Sequence, residues 1–215
     1  MRAPGPAESR GEAVGGKAES ILSAAERAFL AHGFGAVSMD AIAREAGASK
    51  ATVYAHFAGK EELFGAVIAR VSARFAAFSA QELDPGAIAA SLTTIAYRFL
   101  ELVLSPEGIA VNRIVIGEVS RFPALGEVFW NAGPERTRVQ LEAFLRRAAA
   151  AGTLAIADPR AAAEQFLALA RGEMHLRRLL RVGGDPDQAA LQAAACAAAE
   201  VFLRAFAAGS GSSRR

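Results

Sequence analysis

Between Ser38 and Lys60 the chain reads Ser-Met-Asp-Ala-Ile-Ala-Arg-Glu-Ala-Gly-Ala-Ser-Lys-Ala-Thr-Val-Tyr-Ala-His-Phe-Ala-Gly-Lys, a pattern that predicts two short helices joined by a tight turn. Ser38 suits an N-cap, Asp40 places negative charge in the first turn, and Met39, Ile42 and Ala46 recur at spacings of three and four. Gly47 is the natural stop, because glycine takes the left-handed conformation cheaply. Ser49 follows two residues later as the next cap. So short a connection forces the second axis to cross the first steeply, as in a helix-turn-helix.

The second helix carries the functional information. At about 100° per residue, Val53 and Phe57 share one face while Ala51 and Ala55 lie opposite, flanked by Thr52 and Tyr54. Such a face suits the major groove of DNA: alanines allow close approach and can touch thymine methyls, while Thr, Tyr, Lys and His reach phosphates or base edges. Lys50 and Lys60 bracket the helix with positive charge. Taken singly, Tyr54 and Phe57 read more readily as core aromatics, His56 as a satisfied histidine and the lysines as solvated charge. Taken together, Thr52, Val53, Tyr54 and His56 are mediocre helix formers that a helix selected only to pack would not need.

The run from Phe29 to Leu63, with Gly33, Phe34, Ser38, Ile42-Ala43, Ala46-Gly47, Ser49-Lys50, Thr52-Val53-Tyr54, His56-Phe57 and Lys60-Glu61-Glu62-Leu63, resembles the DNA-binding signature of the tetracycline-repressor-like (TetR-like) regulators. That resemblance implies an all-helical, dimeric transcriptional regulator, usually a repressor released from its operator by a small molecule. By position, Ser49, Lys50, Ala51, Thr52, Tyr54, His56 and Lys60 match the family's DNA-contacting residues. Ser38 and Arg44 complete the candidate DNA-binding set. Ala55 is a departure: several relatives carry a larger side chain there, so a base contact open to them is removed and the operator sequence stays open.

Composition bounds the rest. A chain of 215 residues that is 53% hydrophobic and 21% charged can bury a substantial core. The formal net charge is only +2 at a pI of about 9.0, so DNA affinity must come from local placement of charge. From Met1 to Phe78 nine basic residues face eight acidic ones, whereas from Arg44 to Lys60 three face one. The single cysteine, Cys196, predicts a reducing, cytoplasmic setting and reads as a small buried hydrophobe within an alanine run. No apolar run is expected to reach the ~18 residues of a membrane span.

Enzyme signatures are absent: no His and carboxylate at metal spacing, no Gly-x-Ser-x-Gly elbow, no dinucleotide loop after a strand. Gly11 to Lys17 has the spacing of a phosphate-binding loop, but Ala18 stands where Ser or Thr would hold magnesium. No metal or other cofactor is therefore expected.

The fold class expected is all-α, in four stretches. Residues 1–16 read as a flexible arm, 17–80 as the helix-turn-helix domain, 84–208 as a larger helical domain for ligand binding and dimerisation, and 209–215 as a flexible tail. Helices are expected over Ala18 to His32, Lys60 to Phe78, Ile88 to Leu104, Pro106 to about Arg121, Ala124 to Trp130, Glu135 to Ala151, Asp158 to about Val182, and Asp185-Pro186 to Phe206. The apolar stripe of the Lys60 to Phe78 helix suits it to carry movement between domains.

The last two helices mix alanine runs with more apolar positions than one partner could cover, which predicts a four-helix interface of a homodimer. Two recognition helices must then reach major grooves about 34 Å apart, and the operator should be palindromic. The expected ligand-binding residues are Phe99, Val103, Arg113, Ile116, Phe129, Trp130, Met174 and His175, with Asn112, Glu118, Glu173 and Arg177 as further polar groups to orient a small, largely apolar effector. A constitutive architectural DNA binder, or a regulator acting as an activator, is the alternative reading.

Overall fold

The computed structural model describes residues 8–75 and 83–208, with side chains over 16–73 and 83–208. Those residues form α1 (Glu8–His32), α2 (Met39–Glu45), α3 (Lys50–His56), α4 (Lys60–Phe75), α5 (Ile88–Leu104), α6 (Pro106–Glu118), α7 (Ala124–Ala132), α8 (Pro134–Ala150), α9 (Pro159–Arg171), α10 (Met174–Leu179) and α11 (Gln188–Phe206). Among the described residues there is no strand, only a single antiparallel bridge between Leu154 and Ala207. The all-α expectation holds.

The chain divides into two compact units, Met1–Arg70 with Ala110–Ala132, and Val71–Ile109 with Gly133–Arg215. This division differs from a cut near residue 84. The reason lies in the aromatic packing of the first unit, which recruits the chain around Phe122 beside the N-terminal helices. Helices α4 and α6 each contribute residues to both units.

In the first unit Phe29, Phe34 and Phe64 are fully buried and meet at ring separations of 5.8, 5.2 and 5.4 Å, and Phe122 adds an edge contact to Phe34 at 5.2 Å. Such pairs add about 0.5–1.5 kcal/mol each beyond the area they bury. Ile21, Ile42, Val53, Leu63 and Val67 complete this core. Arg70 ties α4 to α1 through Glu26 at 3.1 Å, Glu19 at 2.8 Å and the Ser23 hydroxyl at 2.9 Å. In the second unit α5 packs chiefly on α11, and α9 on α8, around Leu92, Ile95, Leu100, Leu141, Phe144, Phe166 and Phe202.

Several boundaries differ from expectation. Helix α1 begins at Glu8, inside the expected flexible arm. Arg171 ends α9, because Gly172 adopts φ +48° and breaks a helix expected to continue to Val182; α10 then starts afresh. Asp187, rather than Asp185, caps α11 by accepting the Ala190 amide at 2.8 Å, while Asp185 pairs with Arg178. Cys196 is half-buried rather than buried, its Sγ 3.4 Å from Gln192 Nε2. By length and composition α11 could cross a membrane, against the expectation that no such run exists: it has 19 residues, a mean hydropathy of 1.4 over its most apolar stretch, and 22% of that stretch buried within the chain. The expected end of α4 at Phe78, the first residues of the arm and the 209–215 tail lie outside the described residues.

Candidate nucleic-acid interface

The caps read from the sequence set the geometry of the helix-turn-helix. The Ser38 hydroxyl accepts the Ala41 amide at 3.1 Å, and the Ser49 hydroxyl accepts the Thr52 amide at 3.1 Å while sharing a hydrogen bond with the Thr52 side chain at 2.8 Å. Between them Gly47 sits at φ +60°, its amide donating to the Arg44 carbonyl at 3.2 Å, and the Ala48 amide returns to the Ala43 carbonyl at 3.0 Å. Helix α1 takes up the carbonyls left over at the turn. Lys17 Nζ donates to the Gly47 carbonyl at 3.2 Å and the Ser20 hydroxyl to the Ala46 carbonyl at 3.1 Å.

This turn fixes which face of α3 points away from the protein. Val53 is fully buried and Phe57 half-buried, whereas Lys50, Ala51 and Ala55 are exposed and Tyr54 keeps 46% of its surface. Thr52 and His56 lie half-buried at the edges of that face, and Ser38, the N-cap of α2, and Arg44, within α2, are exposed. Lys50 pairs with Asp40 at 2.9 Å, and the hydrogen bond and charge of Asp40 raise its pKa. Arg27 pairs with Glu45 at 2.9 Å. Arg44 and Lys17 have no carboxylate partner among the described residues; Arg44 Nε reaches only the Asp40 carbonyl, at 3.4 Å. The face is thus small in the centre, with hydroxyls and cations around it.

Lys60 is placed differently from its companions. Its Nζ donates to the carbonyls of Phe34 and Val37, both at 2.9 Å, and lies 4.2 Å from the centroid of the Phe34 ring and 5.6 Å from that of Phe122. Burial lowers its pKa, against the charges of Glu61 and Glu118. Two of its three donors therefore shape the α1–α2 loop.

Glu118 is the residue that sequence reasoning misplaced. Expected to orient a ligand, it ends α6 with its carboxylate on the same loop: Oε1 accepts the Phe34 amide at 2.7 Å and Oε2 the Gly35 amide at 2.5 Å. A Cβ at Gly33 or at Gly35 would stand 2.7 Å from a carboxylate oxygen and would push the carboxylate aside, and Gly33 also sits at φ +80°, where glycine is favoured. Paired glycines around a phenylalanine were the visible signal. Their partner, more than eighty positions away, was not.

The expected ligand-binding residues are split between the units. Phe99, Val103 and Met174 pack half-buried against the core of the second unit, and His175, on α10 nearby in sequence, has a buried Nε2 without a hydrogen-bond partner. Desolvation, reinforced by the charge of Arg171, lowers the His175 pKa. Arg113, Ile116, Phe129 and Trp130 belong to the first unit; Ile116 is 63% and Trp130 56% exposed, so neither is enclosed within that unit. A shallow depression on α8, lined by Glu135, Arg136, Val139 and Gln140, includes none of the expected set.

Comparison with known proteins matches this architecture throughout. Residues 21–67 match the family of bacterial regulatory proteins of the tetR type, and residues 90–208 match the C-terminal domain of AefR-like transcriptional repressors. Among solved structures, the flavonoid-responsive regulator FrrA is 36% identical, with 91% of this chain and 100% of that one covered at a TM-score of 0.74. A protein described as a TetR-family regulator from Mesorhizobium loti is 26% identical, covering 90% and 98% of the two chains at a TM-score of 0.77. The SmeT–triclosan complex shares the fold at 23% identity, 90% and 93% coverage and a TM-score of 0.65. Among curated proteins none matches. With a helix-turn-helix whose second helix turns a small, polar-edged face outward, and with both halves matched to the same family, the chain belongs to the TetR family of transcriptional regulators.

Proposed function

We propose that the chain is a ligand-responsive repressor, acting in the cytoplasm, that binds a palindromic operator as a homodimer and is released by a small, largely apolar molecule. The observation that carries the DNA-binding part is the exposed face of α3, where Lys50, Ala51, Tyr54 and Ala55 lie outward while Val53 is fully buried. Ser49, Lys50, Thr52, Tyr54, His56 and Arg44 are the contacts proposed, with Ala51 giving the close approach. Lys60 contributes through the loop it braces, its remaining N–H being free to meet phosphate.

The homodimer reading is supported by what the second unit leaves uncovered. Ala189, Ala193, Ala197 and Val201 form an exposed stripe along α11, and Leu169 on α9 with Leu176 and Leu180 on and just after α10 are 43%, 58% and 65% exposed. Exposed apolar surface of this extent on consecutive helices marks an interface. The partner proposed is a second copy, α9 to α11 of each subunit packing together.

The effector reading rests on relatives and on one orphaned atom. The 36%-identical neighbour is flavonoid-responsive, and the SmeT structure is a triclosan complex. Both names point to aromatic small molecules. The buried, unpartnered Nε2 of His175, on a helix packed against α5, would give such a molecule a polar anchor beside Phe99, Val103 and Met174. A ligand that fits only the conformation unfit for DNA lowers operator affinity by its differential binding, typically about 1–3 kcal/mol. The test is fluorescence anisotropy with DNA flanking the gene, followed by titration with flavonoids and other phenols. Sequence-specific binding reversed by such a compound supports the proposal; binding without sequence preference and with a steep salt slope supports an architectural role instead.

A further inference from the structure

The α1–α2 loop is gripped by opposite charges on opposite peptide groups. The Glu118 carboxylate accepts the amides of Phe34 and Gly35, while the Lys60 ammonium donates to the carbonyls of Phe34 and Val37. Phe34 is held by both. Its ring is buried between Phe29, Phe64 and Phe122, so neither its backbone nor its side chain can shift without breaking several contacts at once. One residue past Val37 is Ser38, the cap of α2, and α2 leads through Gly47 to α3. The loop thereby sets where the recognition helix begins.

We propose that Glu118 is a positioning residue for DNA binding: the last residue of α6 sets the α1–α2 loop, and with it the helix-turn-helix, without touching DNA. This deepens the DNA-binding reading above and rests on it. A displacement of α6 along or about its axis would draw the carboxylate from two amides at once. Losing it would leave the loop in several arrangements, only a fraction of them fit for DNA, and apparent affinity falls by that fraction.

Two variants reach the clasp from opposite sides. Glu118→Gln keeps the shape but turns one acceptor into a donor facing an amide. Gly35→Ala leaves the carboxylate chemically intact and displaces it, since the added Cβ would stand 2.7 Å from Oε2 and 3.2 Å from the Phe122 ring. In the full-length protein, amide exchange at Phe34 and Gly35 is measured without DNA, and operator affinity is measured across a salt series. The proposal expects faster exchange at both amides in each variant, operator binding weakened about tenfold, and an unchanged slope of log affinity against log salt, because no phosphate contact is lost. Wild-type exchange and affinity in Glu118→Gln would overturn it. So would a salt slope reduced by about one, the mark of a direct phosphate contact. If Glu118→Gln fails to fold, Gly35→Ala decides alone. A wild-type chain that ignores DNA would refute the DNA-binding reading, while exchange at the two amides would still report whether the clasp exists.

Discussion

The Lys60 ammonium donates to the Phe34 carbonyl at 2.9 Å and lies 4.2 Å from the centroid of the same residue's ring. One cation thus holds both the backbone and the side chain of the residue at the centre of the first unit's core. Lys60→Ala should therefore destabilise that unit by about 1–3 kcal/mol, the cost of removing a charged donor from part-buried carbonyls, and weaken operator binding in step. The check is thermal unfolding beside anisotropy. A variant of wild-type stability that nevertheless loses all DNA binding would show that Lys60 acts as a phosphate contact and not as a brace.

Lys50 is exposed and paired with Asp40 at 2.9 Å. Lys50→Ala should weaken binding to all DNA sequences alike and lower the salt slope by about one, while Asp40→Asn, removing a carboxylate from beside the phosphates, should tighten binding at low salt. Affinities across a salt series measure both. A Lys50→Ala variant with the full slope would remove Lys50 from the interface.

These two lysines show how much of the site was legible in the sequence. The caps Ser38 and Ser49 and the turn at Gly47 are local devices, each written within four residues of what it controls, and each sits where the pattern placed it. The outward face of α3 was equally legible, since helical periodicity alone separates Val53 from Ala51 and Ala55. Lys60 looked like its neighbour Lys50 because the loop that takes up its charge lies more than twenty positions earlier. The grip of Glu118 on the same loop was invisible for the same reason at longer range. Gly172 was hidden by the apolar pattern running across it, from Phe166 to Leu176. Non-local hydrogen bonds, and a glycine inside an otherwise regular stripe, escape any reading based on periodicity.

Val201 is 48% exposed on the alanine stripe of α11. Val201→Glu should leave the helical content intact but shift the chain from dimer to monomer, because a charge buried at a subunit interface without a partner costs several kcal/mol. Sedimentation velocity reads the outcome. A variant that sediments as the wild type would place the subunit contact elsewhere.

His175 has its pKa lowered by burial and by Arg171. With the folded value below the ordinary 6.5, unfolding is coupled to proton uptake: above 6.5 neither state carries the proton and folding bears no cost. As the pH falls through 6.5 the unfolded chain is protonated first, so stability declines until the folded pKa is reached. Unfolding midpoints followed from neutral pH down to about pH 5 should show this decline in the wild type and a shallower one in His175→Gln. Identical profiles would mean that His175 titrates normally.

The measurement that tests the central claim most directly is a footprint of the wild-type protein and of Tyr54→Ala on the DNA beside the gene. Tyr54 is 46% exposed at the edge of the outward face of α3, so its truncation should leave stability within about 0.5 kcal/mol of wild type. The wild type is predicted to protect a two-fold symmetric site with half-sites about one helical turn apart, two subunits per site, and Tyr54→Ala to leave that site bare at the same concentration while remaining folded and dimeric. Protection by Tyr54→Ala equal to that of the wild type would contradict the account, whatever else the protein binds.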